Sequence, residues 1–460
     1  MFTASTSSYV TRKLSLPVDL ASLQHSNPGR YPFLLESVAH GTPQSRHDIL
    51  FSFPGERLIL NADGGCTNGQ GARFDAGFLE MLDRHWQQSR TDQPGDIGAP
   101  PFRGGWFLYL GYELAGQIEP SLKLPAGDAL PIACATRVPA AIVVDHADDT
   151  ATLVAEVGQS ELLDAMQADM HELQAVRTGS IPLLASPLEE EEPARYLQAV
   201  DRARRYILDG DIFQANLSRR WHAGLDRQVT PADLYRRLRQ ANPAPFAGLA
   251  YYGDSAVISS SPERLVSVRN RRIDARPIAG TRPRHADAKR DAALIRELIE
   301  HPKERAEHVM LLDLERNDLG RIARTGSVQV DEVMVVESYT HVHHIVSNVC
   351  ARLRDEVSPG EVIRAVFPGG TITGCPKVRC MEIIAELERM PREAYTGSMG
   401  YLNHDGDMDM NILIRTLVQK GDQLEFRAGA GIVADSIPEF ELDETRAKAR
   451  GLARALGAQV

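Results

Sequence analysis

The order of strand-like and helix-like segments restricts the fold of this chain most strongly. The first part carries short runs of aliphatic and aromatic residues, among them DILFSF (48–53), RLILNA (57–62) and AAIVVDH (140–146). Beyond residue 193, long helical patterns mix with runs such as FAGLAYYG (246–253) and LEFRAGAGIV (424–433). A regular βαβ alternation, which builds parallel sheets, does not occur. The order therefore predicts a mixed fold of antiparallel sheets with helices outside.

The helical patterns have the expected apolar spacing. Between Tyr196 and Ile207, apolar residues recur at i, i+4, i+7, i+10 and i+11, which places them on one face of a helix, and Gly210 follows as a stop signal. Other helices are predicted at 78–88, 158–176, 287–300, 304–314, 377–387 and 438–456.

One low-complexity stretch divides the chain. Residues 180–193 (SIPLLASPLEEEEP) combine three prolines with four successive glutamates, which repel each other. We interpret this stretch as a solvated surface linker between an N-terminal part, 1–179, and a second part, 193–460.

The charge balance limits the possible partners. The chain has 51 basic and 62 acidic residues, a net charge of −11, and no dense Lys/Arg block, so nucleic-acid binding is not expected. An anionic substrate would need local cations or a metal ion. No apolar run approaches the roughly 18 residues of a membrane span, and no signal-peptide pattern is visible. Five scattered cysteines without a CxxC pair fit a reducing cytoplasm.

Two patterns imitate ligand sites without fulfilling their requirements. Gly429, Gly431 and Ala434 follow a strand as in a dinucleotide fingerprint, but a loop follows instead of the helix that such a motif opens. His341, His343 and His344 cannot converge on zinc from an extended run, because His344 points to the opposite face.

Paired carboxylates are the first candidates for chemistry. Glu441 and Glu444 lie three residues apart on a predicted helix, as do Glu304 and Glu307 on another. Oxygen-only ligation suits Mg²⁺ rather than zinc, whereas a solvated helix face is the plainer alternative for each pair.

A second candidate is the Gly-, Pro- and Thr-rich loop FPGGTITGCPK (367–377). Its backbone N–H groups, its threonine hydroxyls and Lys377 would suit a carboxylate or phosphate at a helix N-terminus. The alternative is an ordinary helix-capping loop.

Nine segments occur together in one order. They are SSPERL (260–265), RPIAGTRPR (276–284), EHVMLLDLERNDLGR (307–321), VHHIVS (342–347), FPGGTITGCPKVRCMEII (367–384), YTGSMGY (395–401), ILIRTL (412–417), AGAGIVADS (428–436) and ELDETRAKA (441–449). With them the chain resembles the chorismate-utilising enzyme family. The resemblance covers 193–456 densely and the N-terminal part more weakly, through FLLES (33–37). It implies an α+β fold, a two-sheet antiparallel β sandwich with flanking helices, across which the 180–193 segment runs without separating mobile domains.

The resemblance also implies roles for individual residues. Chorismate carries two carboxylates, a C4 hydroxyl and an enolpyruvyl ether, and hydroxide is a poor leaving group, so a general acid is required. By similarity, Glu263 is that acid and His344 assists proton movement. Mg²⁺ would be held by Glu307, Glu441 and Glu444. The implied substrate contacts are Arg415, Tyr395, Thr371, Thr373, and the backbone of Gly429, Gly431 and Ile432, with Lys377 beside the same pocket.

The resemblance points to two branches of the family, which differ in where ammonia adds. Arg264, Asn216, Gly370 and Thr373 resemble the branch that makes 4-amino-4-deoxychorismate. Ala279, in PIAGT, resembles the branch that makes anthranilate; some members of the first branch carry a nucleophilic lysine there. We expect the 4-amino product, in 4-aminobenzoate and folate biosynthesis, with anthranilate as the alternative.

Partners follow from the same resemblance. No glutaminase nucleophile segment is visible, so ammonia is expected from a separate glutamine amidotransferase subunit. Glu36 and Ser37 in FLLES resemble a tryptophan-binding segment. A non-catalytic binding subunit with the same fold is the alternative from another class, and the intact set of acidic residues and His344 argues against it.

Overall fold

The computed structural model describes residues 8–459 except 16, 40–44, 93–94, 96–97, 174–181 and 340–341. Its strands are β1 (Tyr9–Leu14), β2 (Phe33–Glu36), β3 (His47–Ser52), β4 (Arg57–Leu60), β5 (Cys66–Asn68), β6 (Arg73–Phe74), β7 (Gly105–Leu110), β8 (Ala133–Val138), β9 (Ala140–Asp145), β10 (Thr150–Glu156), β11 (Glu189–Glu190), β12 (Gln214–Gly224), β13 (Phe246–Tyr252), β14 (Ser255–Ser261), β15 (Arg264–Arg269), β16 (Arg272–Ala275), β17 (Ile278–Pro283), β18 (Gln329–Ser338), β19 (Val342–Arg352), β20 (Gly374–Cys375), β21 (Ser398–Asn403), β22 (Met408–Asn411), β23 (Thr416–Lys420) and β24 (Gln423–Ile432).

The helices are α1 (Leu20–Ser26), α2 (Phe78–Ser89), α3 (Ala115–Ile118), α4 (Glu161–Glu172), α5 (Pro193–Leu208), α6 (Pro231–Ala241), α7 (Ala288–Glu300), α8 (Pro302–Gly320), α9 (Pro359–Val366), α10 (Lys377–Glu388) and α11 (Pro438–Ala455), with 3₁₀ turns at Tyr112–Leu114 and Gly370–Ile372. The predicted helices are confirmed to within a few residues, apart from α8, which runs six residues beyond its predicted end, and apart from the last residues of the helix predicted at 158–176, which lie outside the described residues. No described helix is both long enough and apolar enough to cross a membrane.

The strands form two large antiparallel sheets, as predicted. The first runs β1-β10-β9-β3-β2-β13-β14-β23-β24-β12-β11, and the second runs β17-β19-β16-β15-β22-β21-β7-β8-β4-β5-β6. In each sheet, strands from before residue 180 meet strands from beyond it at one seam, β2 against β13 and β7 against β21. The two sequence halves therefore share both sheets.

Aromatic side chains fill the space between the sheets. Phe33 of β2 stacks on Phe107 of β7 with ring centroids 4.1 Å apart, and Phe51 meets both Phe107 and Tyr401 edge-on or tilted. Helices α6 and α11 cover the outer face of the first sheet, and α2 and α9 cover the second. This arrangement is the predicted sandwich with flanking helices, because each sheet buries apolar side chains on both faces.

The glutamate-rich stretch differs from its prediction as a solvated linker. Glu189 and Glu190 form β11 and pair with β12. Glu190 accepts hydrogen bonds from Arg219, whose side chain is fully buried, and from Arg446 of α11. Repulsion between neighbouring glutamates is thus offset by arginines from distant positions.

Candidate active site

Glu263 lies at the corner between β14 and β15, where Pro262 interrupts the strand. The backbone N–H of Ile412 donates to the Glu263 carbonyl at 3.0 Å, and the Ser261 hydroxyl donates to the Ile412 carbonyl, so the corner is fixed to the residue that follows β22. The Glu263 side chain is buried, and its Oε1 has no hydrogen-bond partner among the described residues.

The surroundings of Glu263 favour a protonated carboxyl group. Burial raises the pKa of Glu263 to about 7, against the opposing influence of the Thr371 hydroxyl, the Ile278 backbone N–H, Lys448 and Arg415. A carboxyl with this pKa carries its proton in about half of the molecules at neutral pH, which suits a general acid.

Two cations lie close to this carboxyl. Arg415 adopts a left-handed backbone conformation with φ of 51°, which is unfavourable for a residue with a long side chain. Burial lowers its pKa, and the Glu263 carboxylate acts in the opposite direction. Lys448 of α11 donates to the Gly429 carbonyl at 2.9 Å and pairs with Glu444 at 2.8 Å. An anionic substrate would therefore meet two positive charges in an acidic protein.

Gly429 and Gly431 of β24 form a stretch of backbone without large side chains, and Lys448 contacts it at the Gly429 carbonyl. A Cβ on Gly429 would lie 2.7 Å from the Tyr395 hydroxyl and 2.8 Å from Asn216 Oδ1, so a larger residue would displace one of them. The pairing of β24 with β23 ends at Phe426, which leaves one edge of the following residues uncovered by that strand. The site therefore offers backbone polar groups to a ligand, as predicted for this segment.

His344 lies on β19 with its ring buried. Its Nδ1 is 2.9 Å from Thr281 Oγ1. Burial and the nearby charge of Arg415 lower the pKa of His344 to about 3, although a hydrogen bond with the Gly280 backbone has the opposite effect. The imidazole is therefore neutral at neutral pH. Neighbouring His343 instead bonds Ser338 and Asp291, and His341 lies outside the described residues.

Ala279 lies in β17 between two residues whose backbones affect Glu263 and His344. The Ile278 backbone acts on the pKa of Glu263 and the Gly280 backbone on that of His344, while a register shift interrupts the pairing with β19 between Ala279 and Thr281. Its methyl group supplies no nucleophile.

The three predicted metal ligands lie on two helices that border the site. Glu307 of α8 accepts a hydrogen bond from Gln214 Nε2 at 3.0 Å, and burial raises its pKa, with Glu304 and Glu444 contributing in the same direction. Glu441 is buried on α11, one turn before Glu444. Within the described residues these carboxylates do not all come within 4.8 Å of one another.

The donor set nevertheless fits Mg²⁺. Three carboxylates provide the oxygen ligands this ion prefers, and Gln214 Oε1 beside Glu307 is buried without a hydrogen-bond partner in the described structure. Glu304 is paired with Arg282 at 3.1 Å and Glu444 with Lys448 at 2.8 Å, so Glu444 would have to exchange its lysine partner for the ion.

Two predicted site residues have different roles in the structure. The Thr373 hydroxyl donates to the Gly369 carbonyl at 2.9 Å and so holds the loop. The Lys377 amine donates to Asp318 at 2.5 Å and is not presented as a nucleophile. Thr371, in contrast, has a buried hydroxyl without a partner among the described residues, next to Glu263.

Glu36 and Ser37 line a separate cavity of about 450 Å³, here called the inter-sheet cavity. It is bordered by Glu36, Ser37, Phe246, Arg264, Tyr401 and Asp409, among others. Glu36 is held by Tyr235 at 2.6 Å and Arg239 at 2.9 Å, and the Ser37 hydroxyl donates to the backbone carbonyls of His47 and Pro245.

The sequence analysis did not assign four residues that the fold brings to this region. Gln214, Lys448, Glu315 and Asp318 contact the predicted site residues or lie directly behind them. Lys448 follows Glu444 at the i+4 spacing of a helical ion pair, which is the one signal that could have identified it.

Comparison with known proteins agrees with this geometry. Residues 42–454 match the family model described as chorismate binding enzyme. Aminodeoxychorismate synthase component 1 of Bacillus subtilis is 42% identical over 369 residues, 78% of each chain. Anthranilate synthase component 1 of Thermus thermophilus is 40% identical over 96% of each chain. The crystal structure of anthranilate synthase component I from Streptococcus pneumoniae TIGR4 superposes with a TM-score of 0.79 at 33% identity, covering 90% of this chain and 93% of that one. On the fold, the site and these matches, the chain belongs to the chorismate-binding enzyme family.

Proposed function

We propose that this chain aminates chorismate to 4-amino-4-deoxychorismate, in 4-aminobenzoate formation. The main observation in favour of this product is the position of Asn216. Its Oδ1 is buried without a hydrogen-bond partner among the described residues, next to Gly429 and Tyr395. A lone acceptor in a site of this kind can take a hydrogen bond from an incoming amine. The similarity to the Bacillus subtilis synthase supports the same product.

The remaining residues supply binding and acid catalysis. Arg415, Lys448 and the Gly429–Gly431 backbone would hold the two carboxylates of chorismate. Protonated Glu263 would donate its proton to the departing C4 hydroxyl, which leaves as water. Ammonia contributes the nitrogen and releases one proton to the solvent, because His344, with a pKa of about 3, is too weak a base to hold it. The overall change is chorismate plus ammonia to the amino product plus water.

Mg²⁺ is the cofactor that this proposal includes. Glu307, Glu441 and Glu444 would hold it, and the ion would supply positive charge to a substrate carboxylate. Without the ion, the anionic substrate would lie near three glutamates, whose negative charges would repel it.

The alternative product is anthranilate with release of pyruvate. Ala279 favours it, because no lysine is present at this position to add to C2 before ammonia does. The 40% identity to the Thermus thermophilus anthranilate synthase component 1 over nearly the whole chain also supports anthranilate, and it is close to the 42% identity to the Bacillus subtilis synthase.

The ammonia donor in this proposal is a separate glutamine amidotransferase subunit, and the reaction takes place in the cytoplasm. All five cysteines are free, which agrees with a reducing compartment. Tryptophan is the ligand we propose for the inter-sheet cavity, because Glu36 and Ser37 line it.

The test is incubation of the purified chain with chorismate, Mg²⁺ and ammonium, with identification of the product. Calorimetric binding of chorismate without any turnover would instead support a non-catalytic binding subunit.

A further inference from the structure

A buried ion network borders Asn216, the residue that favours the 4-amino product. Its centre is Glu388, the last residue of α10, which pairs with Arg392 at 2.6 Å and with Arg427 at 2.9 Å. Glu388 is 6% exposed and each arginine is 3% exposed. Although burial favours a neutral carboxyl group, the charges of the two arginines lower the pKa of Glu388. The chemistry described above uses none of these three residues.

The Arg392 guanidinium joins three segments of the candidate active site. It donates to the backbone carbonyl of Asn216 at 2.7 Å, to that of Ile372 at 3.3 Å and to the Thr396 hydroxyl at 3.3 Å. Its two bonds to Glu388, at 3.0 and 2.6 Å, complete the set. All five N–H groups of the guanidinium are therefore engaged, which fixes the group in one orientation.

The three segments carry side chains that meet around Gly429. Thr371 precedes Ile372 in the 3₁₀ turn, and the ring of Tyr395 lies beneath the guanidinium, whose carbon is 5.5 Å from the ring centroid. The Tyr395 hydroxyl and Asn216 Oδ1 both lie within 2.8 Å of the position that a Cβ on Gly429 would occupy. One planar group thus fixes the relative positions of the backbone segments that bear these side chains.

We propose that Arg392 is a positioning residue, which holds Asn216 and Tyr395 in the geometry that the reaction requires. Lysine cannot replace it, because an ammonium group is a point charge without the planar fork that reaches several acceptors at once. A misplacement of about 1 Å can cost roughly 10²-fold in rate. The role rests on the proposed function only in that these residues surround the substrate, and it does not depend on which amino product forms.

Arg427 provides the matched control. It is as buried as Arg392 and pairs with the same carboxylate. In the described structure its side-chain hydrogen bonds go to Ser218, Pro391 and Glu388, and to none of the proposed site residues. Arg392→Gln and Arg427→Gln should therefore lower the urea midpoint of unfolding by similar amounts, because each leaves Glu388 with one arginine.

The first measurement is kcat and KM for chorismate consumption, below the unfolding transition of every variant. We expect Arg392→Gln to lower kcat by roughly 10²-fold with little change in KM, because the cations Arg415 and Lys448 are untouched. Arg427→Gln should stay near the wild-type kcat. Arg392→Lys should regain stability, since it returns a charge to the network, without regaining kcat. It also tests the proposal if the glutamine variant fails to fold.

Equal losses of kcat in the two glutamine variants would overturn the proposal, because the network would then act through the stability of the fold alone. A wild-type kcat in Arg392→Lys would overturn it as well, because charge without the planar fork would then suffice.

The second measurement needs no turnover. Hydrogen exchange followed by mass spectrometry reports local opening of the segments that Arg392 joins. The Asn216 N–H donates to the Thr373 carbonyl at 2.9 Å, and the Thr396 N–H donates to a carbonyl of the neighbouring chain segment at 2.8 Å. Both amides should exchange faster in Arg392→Gln than in Arg427→Gln, and equal exchange would refute the positioning role. A wild-type chain that does not consume chorismate would instead refute the proposed function.

Discussion

Glu263 and Arg264 are consecutive residues whose side chains lie in two different regions of the structure. Glu263 lies beside Thr371 and Arg415 in the candidate active site, whereas Arg264 forms a bidentate ion pair with Asp409, both bonds 2.9 Å, in the inter-sheet cavity. A ligand in the inter-sheet cavity that contacts Arg264 would therefore contact the residue next to the proposed acid. Arg264 resembles one branch of the family without contacting the candidate site, so Asn216 remains the distinguishing residue that lies in it.

Glu263→Gln should leave chorismate binding largely intact and lower turnover by roughly 10²–10⁴-fold, because general acid help to a hydroxide leaving group is lost. Calorimetry would measure binding and a spectroscopic assay would measure turnover. A variant with a near wild-type rate would remove Glu263 from this role.

The contribution of His344 to the stability of the fold should fall as the pH drops below about 6.5. Buried His344, with a folded-state pKa of about 3, stays neutral while the unfolded chain takes up a proton near the ordinary histidine pKa of about 6.5. Its contribution is fully present above that value and is lost progressively toward pH 3, at about 1 kcal/mol per pH unit.

Urea unfolding at pH 7.5 and 5.5 would measure this loss in the wild type and in His344→Gln. The variant should lose about 1 kcal/mol less over this interval. Equal losses in the two proteins would show that His344 is not the group responsible.

Much of the fold was predictable because its signals are local. The helix from Pro193 to Leu208 follows from apolar spacing, and its stop follows from Gly210. Sheet order was not predictable, since the seam of β2 with β13 joins segments more than two hundred residues apart. The β11 strand was missed for the same reason, because Arg219 and Arg446 neutralise Glu190 from distant positions.

The candidate site was predictable in residue type but not in side-chain direction. Glu263, His344, Thr371 and Arg415 come together as the resemblance implied. Thr373 and Lys377 are engaged by nearby partners, the Gly369 carbonyl for the threonine and the Asp318 carboxylate for the lysine. Nothing in the loop sequence specifies those partners, and Asp318 lies 59 positions away from Lys377.

The Mg²⁺ concentration needed for activity should change when Glu444 is substituted and not when its neighbour Asp443 is. Chelation should abolish turnover, and Glu444→Gln should require far more Mg²⁺ for half-maximal activity, because one of three oxygen ligands is lost. Asp443→Asn is the matched control, since Asp443 is an exposed carboxylate on the same helix. Full activity in excess chelator would contradict the metal assignment.

No covalent adduct should form between the protein and chorismate. Ala279 has no nucleophile, and Lys377 is held in an ion pair by Asp318. Intact-mass measurement during turnover should therefore give only the unmodified mass. An adduct that maps to Lys377 would show that this ion pair opens during the reaction.

If no adduct forms, reaction in ¹⁸O-labelled water distinguishes two routes. Addition of water at C2 labels an isomer or recovered chorismate, whereas direct displacement at C4 leaves both unlabelled.

The most direct test of the central claim is the identity of the product formed from chorismate, Mg²⁺ and ammonium. The account predicts a product that yields 4-aminobenzoate when a lyase specific for 4-amino-4-deoxychorismate is added, and that yields no aromatic amine without the lyase. Fluorescent anthranilate as the sole product, formed without any lyase, would contradict it. Ammonia would then have added at C2, and Ala279, not Asn216, would be the residue that indicates the product correctly.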